Sequence, residues 1–354
     1  MERRALRRIR VLIVDDSALV RQMLREILDS DPEIEVVGYA ANAAAAREKI
    51  RKLEPDVMTL DVEMPGMDGI SFLRQVMRLR PLPVVMVSSL TAEGAEVTLE
   101  ALSLGAVDFV CKPRVDISGT LGEYASEIID KVRAAASARP LAADDAPVEP
   151  VRQSGDFEVP TDVRLIALGA SAGGVEAIRE LVDQLEPDLP GMVITQHIPG
   201  GFSAAFARRI DQRTPLTVKE AEDGDRINEN HVFIAPGGRH LRVVREGAQL
   251  VCRIDDGPRV SQHRPSVDVL FRSVAEAVGA EAVGVLLTGM GSDGAHGLAE
   301  LHRRGALTVA QDEASSVIWG MPREAVLLGC VDHVLPLGRI PTLLRATRES
   351  VRSS

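Results

Sequence analysis

The sequence predicts an α/β protein of two domains, each a parallel sheet covered by helices on both faces. Short apolar runs of strand length alternate with amphipathic stretches of helix length, first over residues 9–133 and again from residue 163. Between the two series the pattern dissolves into alanine, proline and acid. The length of 354 residues also exceeds the roughly 250–300 that one core supports.

In the first series, strands are expected at 9–14, 34–40, 57–60, 84–87 and 109–111, with helices at 18–29, 43–53, 71–77, 93–104 and 122–135. Ligands of such sheets gather at the carboxyl ends of the strands. Asp15 and Asp16 follow the first strand, Asp61 the third, Ser88 the fourth and Lys112 the fifth. Carboxylates converging on one rim repel one another unless a cation lies among them, and Mg²⁺ is the hard ion that suits oxygen ligands. A lysine beside them matches an incoming phosphate as a point charge.

The runs Val14-Asp-Asp-Ser17, Thr59-Leu-Asp-Val-Glu-Met-Pro-Gly-Met-Asp-Gly69, Met86-Val-Ser-Ser89 and 105–113 resemble the successive motifs of a two-component receiver domain. The resemblance implies a flavodoxin-like (βα)5 fold over residues 9–133. It makes Asp61 the phosphoacceptor, Asp15, Asp16 and the Glu63 carbonyl further holders of Mg²⁺, Ser88 the switch hydroxyl, and Lys112 the phosphoryl contact. Phe109 falls at the position of the switching aromatic ring.

Residues 134–162 read as a linker. Over 144–162 six acids face a single arginine, so the segment is expected to be extended and solvated. The second domain is expected over 163–350 as a doubly wound, mainly parallel α/β fold. Its strands are expected at 164–169, 191–196, 216–219, 232–235, 282–288, 307–310 and 333–336, with a hairpin of 241–244 and 250–254 on the sheet edge. Helices are expected at 174–184, 201–212, 267–278, 293–304, 322–328 and 339–348.

This domain opens on Gly169-Ala-Ser-Ala-Gly173, a G-x-S-x-G elbow in which small neighbours lift a serine hydroxyl clear of a strand-to-helix turn. A packing turn or a phosphate-binding loop would look the same, although Ser171 occupies the position where a dinucleotide fingerprint needs glycine. If Ser171 is a nucleophile, it needs a base within hydrogen-bond reach and a carboxylate to orient that base. His197 ends the run Met192-Val-Ile-Thr-Gln-His197, past a neighbouring strand; His263, in the loop before a helix, is the rival. Asp293, in Met290-Gly-Ser-Asp-Gly294, lies beyond another strand, where it serves as the orienting carboxylate or as the N-cap of the following helix. Amides near its glycines could cradle a developing oxyanion. The order Ser171, His197, Asp293 differs from the Ser, acid, His order of the common α/β-hydrolase fold.

Gly169-Ala-Ser-Ala-Gly-Gly174, Gln196-His-Ile-Pro199, Ala235-Pro-Gly-Gly238, His263-Arg-Pro-Ser-Val-Asp268, Leu287-Thr-Gly-Met-Gly-Ser-Asp-Gly294 and 311–322 are similar to the motifs of the chemotaxis protein-glutamate methylesterases, the CheB family. The order of receiver, linker and esterase agrees as well. This resemblance implies a Ser171–His197–Asp293 triad with the Met290 amide in the oxyanion hole. It also implies a phosphorylation-activated enzyme, restrained when unphosphorylated, that demethylates glutamate esters on methyl-accepting chemoreceptors, releases methanol and deamidates receptor glutamines. A histidine kinase would be the phosphodonor; ester hydrolysis would need no cofactor. Three positions depart from the family pattern: Ala172 where threonine is usual, Ile198 for methionine, and Trp319 for a smaller aromatic.

With 41 Lys and Arg against 52 Asp and Glu, the net charge of −11 opposes binding to nucleic acid or anionic membrane. Ten aromatic residues are too few for base-stacking platforms. No apolar run approaches the roughly 20 residues of a membrane span, so a cytoplasmic monomer without membrane insertion is expected. Cys111, Cys252 and Cys330 lack metal-ligand spacing and read as buried thiols. The alternative reading is a receiver-linked signalling adaptor with a vestigial esterase domain; a DNA-binding regulator would need a helix-turn-helix, which is not evident.

Overall fold

The computed structural model describes residues 8–89, 91–112, 121–138, 160 and 162–352, which fall into two compact units. The first interleaves strands β1 (Ile9–Val14), β2 (Ile34–Ala40), β3 (Val57–Asp61), β4 (Val84–Ser88) and β5 (Asp108–Cys111) with helices α1 (Ala18–Asp29), α2 (Ala43–Leu53), α3 (Gly69–Leu79), α4 (Ala92–Ser103) and α5 (Leu121–Ser137). The strands pair in parallel in the order β2-β1-β3-β4-β5. Every residue of β3 and β4 is buried, as for central parallel strands covered on both faces. Four helices start where a side chain accepts the amide three residues on: Ser17, Asn42, Asp68 and Thr91. The expected linker lies outside the described residues over 139–159 and at 161.

The second unit begins with β6 (Leu165–Ala170), α6 (Gly174–Asp183), β7 (Gly191–Gln196), α7 (Phe202–Asp211), β8 (Thr217–Glu220) and β9 (His231–Ile234). It continues with β10 (His240–Glu246), β11 (Gln249–Asp255), α8 (Val267–Ala277), β12 (Ala282–Leu286), α9 (Ala295–Arg303), β13 (Leu307–Gln311), α10 (Met321–Leu327), β14 (His333–Leu335) and α11 (Ile340–Arg352). Seven parallel strands pair in the order β14-β13-β12-β6-β7-β9-β8. The chain starts at the centre with β6, winds outward through β7, then returns to β12 on the other side. The direction of winding therefore reverses beside β6, which is where open α/β sheets hold their ligands.

Three expectations change. The hairpin β10–β11 does not extend the main sheet; it forms its own antiparallel pair, and the Val243 amide donates to Ser273 Oγ of α8 at 2.9 Å. Leu241, Val243, Leu250 and Cys252 are buried with Leu270, Phe271 and Val274, so the hairpin covers the α8 face instead of completing a sheet edge. In addition, α9 starts at Ala295 behind Gly294, so Asp293 is not its N-cap. Cys252 and Cys330 are buried as expected, whereas Cys111 is half-buried. Among the described residues, no helix is long and apolar enough to cross a membrane.

Candidate functional site

Ser171, His197 and Asp293 follow β6, β7 and β12, three adjacent strands, and so meet above the carboxyl edge of the sheet. The elbow turns through Gly173, whose φ of +74° is a conformation that side-chain-bearing residues rarely adopt. The Ser171 amide donates to Thr288 O at 3.0 Å, locking the elbow to the strand that leads to Asp293.

His197 Nδ1 lies 3.1 Å from Ser171 Oγ, and His197 Nε2 lies 2.8 Å from Asp293 Oδ2. The Asp293 side chain is 1% exposed and that of His197 is 8%. Asp293 accepts three further hydrogen bonds: from Val267 N at 2.7 Å, Ser266 Oγ at 2.8 Å and Asp268 N at 3.2 Å. Burial would raise its pKa. The hydrogen bond and charge of His197, with the Ser266 hydroxyl and Val267 amide, outweigh burial and hold the carboxyl below its ordinary value. An ionised Asp293 sets the proton of His197 on Nε2 and leaves the Nδ1 lone pair facing the serine hydroxyl. The ring thus uses its nitrogens in the reverse sense of the chymotrypsin-type triad.

The ring of His263, the rival base, stacks on that of His197 with centroids 3.7 Å apart and planes at 14°. Met290 follows Gly289, where a side chain would place its first carbon 2.8 Å from Ser171 Cβ, so the absence of one lets the Met290 segment approach Ser171. Among the described residues, neither the Met290 nor the Ala172 amide donates to a protein acceptor. Ala172 is 3% exposed and its carbonyl accepts from Thr288 Oγ1 at 3.0 Å. Trp319 donates its indole N–H to Gln311 O at 3.0 Å, and its backbone bridges to Gly289. Nothing in the sequence flagged Ser266, Thr288 or Asp268 individually; each is a buried polar residue within a motif whose partners lie elsewhere in the chain.

In the first unit, ligand-capable oxygens of Asp15, Asp16 and Asp61 lie within 4.8 Å of one another. Lys112 Nζ stands 2.7 Å from Asp61 Oδ1 and 3.8 Å from Asp15 Oδ2. Burial and the neighbouring Asp61 charge push Asp15 up to about 6. Burial also raises Asp61, against the opposing pull of Lys112. Asp15 Oδ2 and Asp61 Oδ2 are buried without a hydrogen-bond partner, and such carboxylate oxygens fit a hard divalent cation. The Glu63 amide donates to Asp61 Oδ1 at 3.1 Å, while the Glu63 side chain accepts from Ser89 Oγ at 3.0 Å. Ser88 is buried, and its hydroxyl is engaged with Thr98 Oγ1 at 2.7 Å and Gly94 O at 3.3 Å. Phe109 is 2% exposed, with Lys131 Nζ 5.1 Å from its ring centroid. Thr98 and Lys131 were not singled out from sequence, because helical spacing does not mark which polar residue turns inward.

Two family models match the chain: "CheB methylesterase" over residues 166–344 and "Response regulator receiver domain" over 11–118. A protein-glutamate methylesterase/protein-glutamine glutaminase 1 from Xanthomonas campestris pv. campestris is 54% identical over 353 residues, covering 97% of this chain and 98% of the relative. A relative of the same description from Hahella chejuensis is 56% identical over 339 residues, covering 94% of each. The crystal structure of the Thermotoga maritima CheB methylesterase catalytic domain is 33% identical with a TM-score of 0.50, covering 51% of this chain and 97% of that one. With a relay of serine, histidine and aspartate at its centre and a receiver domain before it, the chain belongs to the CheB methylesterase family.

Proposed function

We propose that this protein hydrolyses glutamate methyl esters on methyl-accepting chemoreceptors, with Ser171 as nucleophile, His197 as general base and Asp293 as its orienting carboxylate. The observation that carries this reading is the unbroken contact from Ser171 Oγ through both His197 nitrogens to Asp293. A vestigial site would have no need to keep a buried, multiply hydrogen-bonded aspartate behind a histidine.

Ser171 Oγ attacks the ester carbonyl while its proton passes to His197 Nδ1. The carbonyl oxygen gains negative charge, and the Met290 amide donates to it. As the tetrahedral species collapses, the carbon–methoxy bond breaks and the Nδ1 proton goes to the leaving group, releasing methanol. Water then attacks the acyl-enzyme, giving its proton to Nδ1, and Ser171 recovers a proton as the glutamate leaves. Asp293 stays ionised and stabilises the transient imidazolium. On a glutamine side chain the same attack expels ammonia, which is deamidation.

Control is assigned to Asp61. Asp15, Asp16, Asp61 and the Glu63 carbonyl would hold Mg²⁺, with Ser88 and Lys112 meeting the phosphoryl group and Phe109 responding to it. Mg²⁺ supplies positive charge that offsets the crowded carboxylates and an incoming phosphoryl group. A histidine kinase is the phosphodonor, and the receiver restrains the esterase until Asp61 is phosphorylated. The setting is the cytoplasm, where receptor helices and kinase are both accessible, and the acting species is a monomer.

Methanol release from methylated receptor, with and without a small phosphodonor, tests this reading. Release by the purified protein and none above background by Ser171→Ala is expected. Release by Ser171→Ala at the wild-type rate would overturn it.

A further inference from the structure

Gln196 is the last residue of β7, 3% exposed, and lies between the nucleophile and the base in the fold. Its Nε2 donates to Ser171 O at 2.9 Å and to His197 O at 3.3 Å. One side-chain amide thus bridges the carbonyls of both reacting residues. Ser171 O also accepts from the Gly174 amide at 2.7 Å. Gln196 lies so close to Gly174 that a side-chain carbon there would sit 2.2 Å from Gln196 Oε1, which explains a glycine at that position.

A trans peptide is planar, so its C=O and N–H point in opposite directions. With Ser171 O held by Gln196 and Gly174, the N–H of the Ser171–Ala172 peptide is directed away from them. The following plane is held as well, because Ala172 O accepts from Thr288 Oγ1 at 3.0 Å. Among the described residues, the Ala172 N–H thus held has no protein acceptor. The Ala172 side chain, a methyl group, carries no donor of its own.

Resting on the esterase reading above, we infer that Gln196 is a positioning residue that fixes the Ser171–Ala172 peptide and presents the Ala172 amide as an oxyanion donor. Gln196 itself touches no substrate atom. It acts by keeping a donor aimed before the reaction begins, so its effect falls on the transition state and not on substrate binding.

The test is fluorophosphonate labelling of Ser171 together with methanol-release kinetics, on the full chain and on Gln196→Met. The variant keeps the side-chain length and loses the donor. Labelling and kcat are expected to fall about 10²–10³-fold, the cost of one oxyanion donor, with KM within about threefold. The pH midpoint of labelling should stay at the wild-type value, because the Ser171–His197–Asp293 contacts are untouched. Gln196→Leu, which also lacks the N–H donors and adds no charge beside His197, must show the same drop. Labelling within threefold of wild type in either folded variant overturns the inference, as does a moved pH midpoint or a loss confined to KM. An unlabelled Ser171 in the wild-type protein would instead remove the esterase reading on which the inference rests.

Discussion

Asp268 and Asp293 exchange helix ends. Asp293, which precedes α9, accepts the Val267 and Asp268 amides at the start of α8; Asp268, on α8, accepts the Gly294 and Gly297 amides at 3.1 and 2.6 Å at the start of α9. Each carboxylate stabilises the positive end of the other's helix, so neither helix can shift without disturbing both. The Asp293 carboxylate is thereby fixed by tertiary structure and not by its own loop.

Asp268→Ala should therefore reduce both stability and activity. Losing a hydrogen bond to a charged group costs about 1.5–3 kcal/mol, and urea unfolding should show a loss of at least that size. Methanol release should fall as well, since the α9 start that carries Asp293 loses its anchor. A variant with wild-type stability and turnover would show that the exchange is incidental.

Asp293→Asn should lower kcat by about 10⁴, as when the orienting carboxylate of a serine triad loses its charge. His197→Ala should lose more, on the order of 10⁶. Comparable, modest losses in both would mean that His197 does not act as the base.

The pH dependence of stability follows from the lowered pKa of Asp293. A carboxyl whose folded pKa lies below its unfolded value adds stability above the unfolded pKa, about 4. That increment disappears as the pH falls through the lower, folded value. The stability gap between wild type and Asp293→Asn should thus close only as the pH falls below about 4. Urea titrations from neutral pH downward would contradict the assignment if the gap closed near neutrality.

Mg²⁺ should raise the melting temperature of the whole chain, because it relieves repulsion between the buried Asp15 and Asp61 oxygens. Asp15→Asn should weaken this shift, and Asp61→Asn should also abolish labelling by a small phosphodonor. A Mg²⁺ shift unchanged in both variants would place the cation elsewhere.

Ala172→Thr tests the departure from the family pattern. Ala172 is 3% exposed, so two added heavy atoms should cost about 1–3 kcal/mol by overpacking. If the Ala172 amide already serves the oxyanion, kcat should not rise. A several-fold gain in kcat would show that the missing hydroxyl limits this enzyme.

Much of the site was legible in the sequence. Ser171, His197 and Asp293 were separable from other candidates because the end of a parallel strand is a position that can be counted from apolar runs. Asp15, Asp61 and Lys112 were found by the same rule. His263 remained a rival because sequence spacing carries no information on whether two rings meet edge-on, through a nitrogen, or stacked face to face as His263 and His197 are. The hairpin β10–β11 was placed on the sheet edge because alternation identifies strands but not the surface that buries them.

By itself, the sequence determined the order of strands and helices, the glycine-lined elbow and the candidate residues Ser171, His197 and Asp293, since these depend on local periodicity and on residue chemistry. Only the tertiary structure decided that His197 turns Nδ1 toward Ser171, that Asp293 is held by α8, and that Gln196 bridges the two reacting segments. Those features depend on contacts between residues about 25 to almost 100 positions apart, and their directions are set by packing, which no local pattern of the chain encodes.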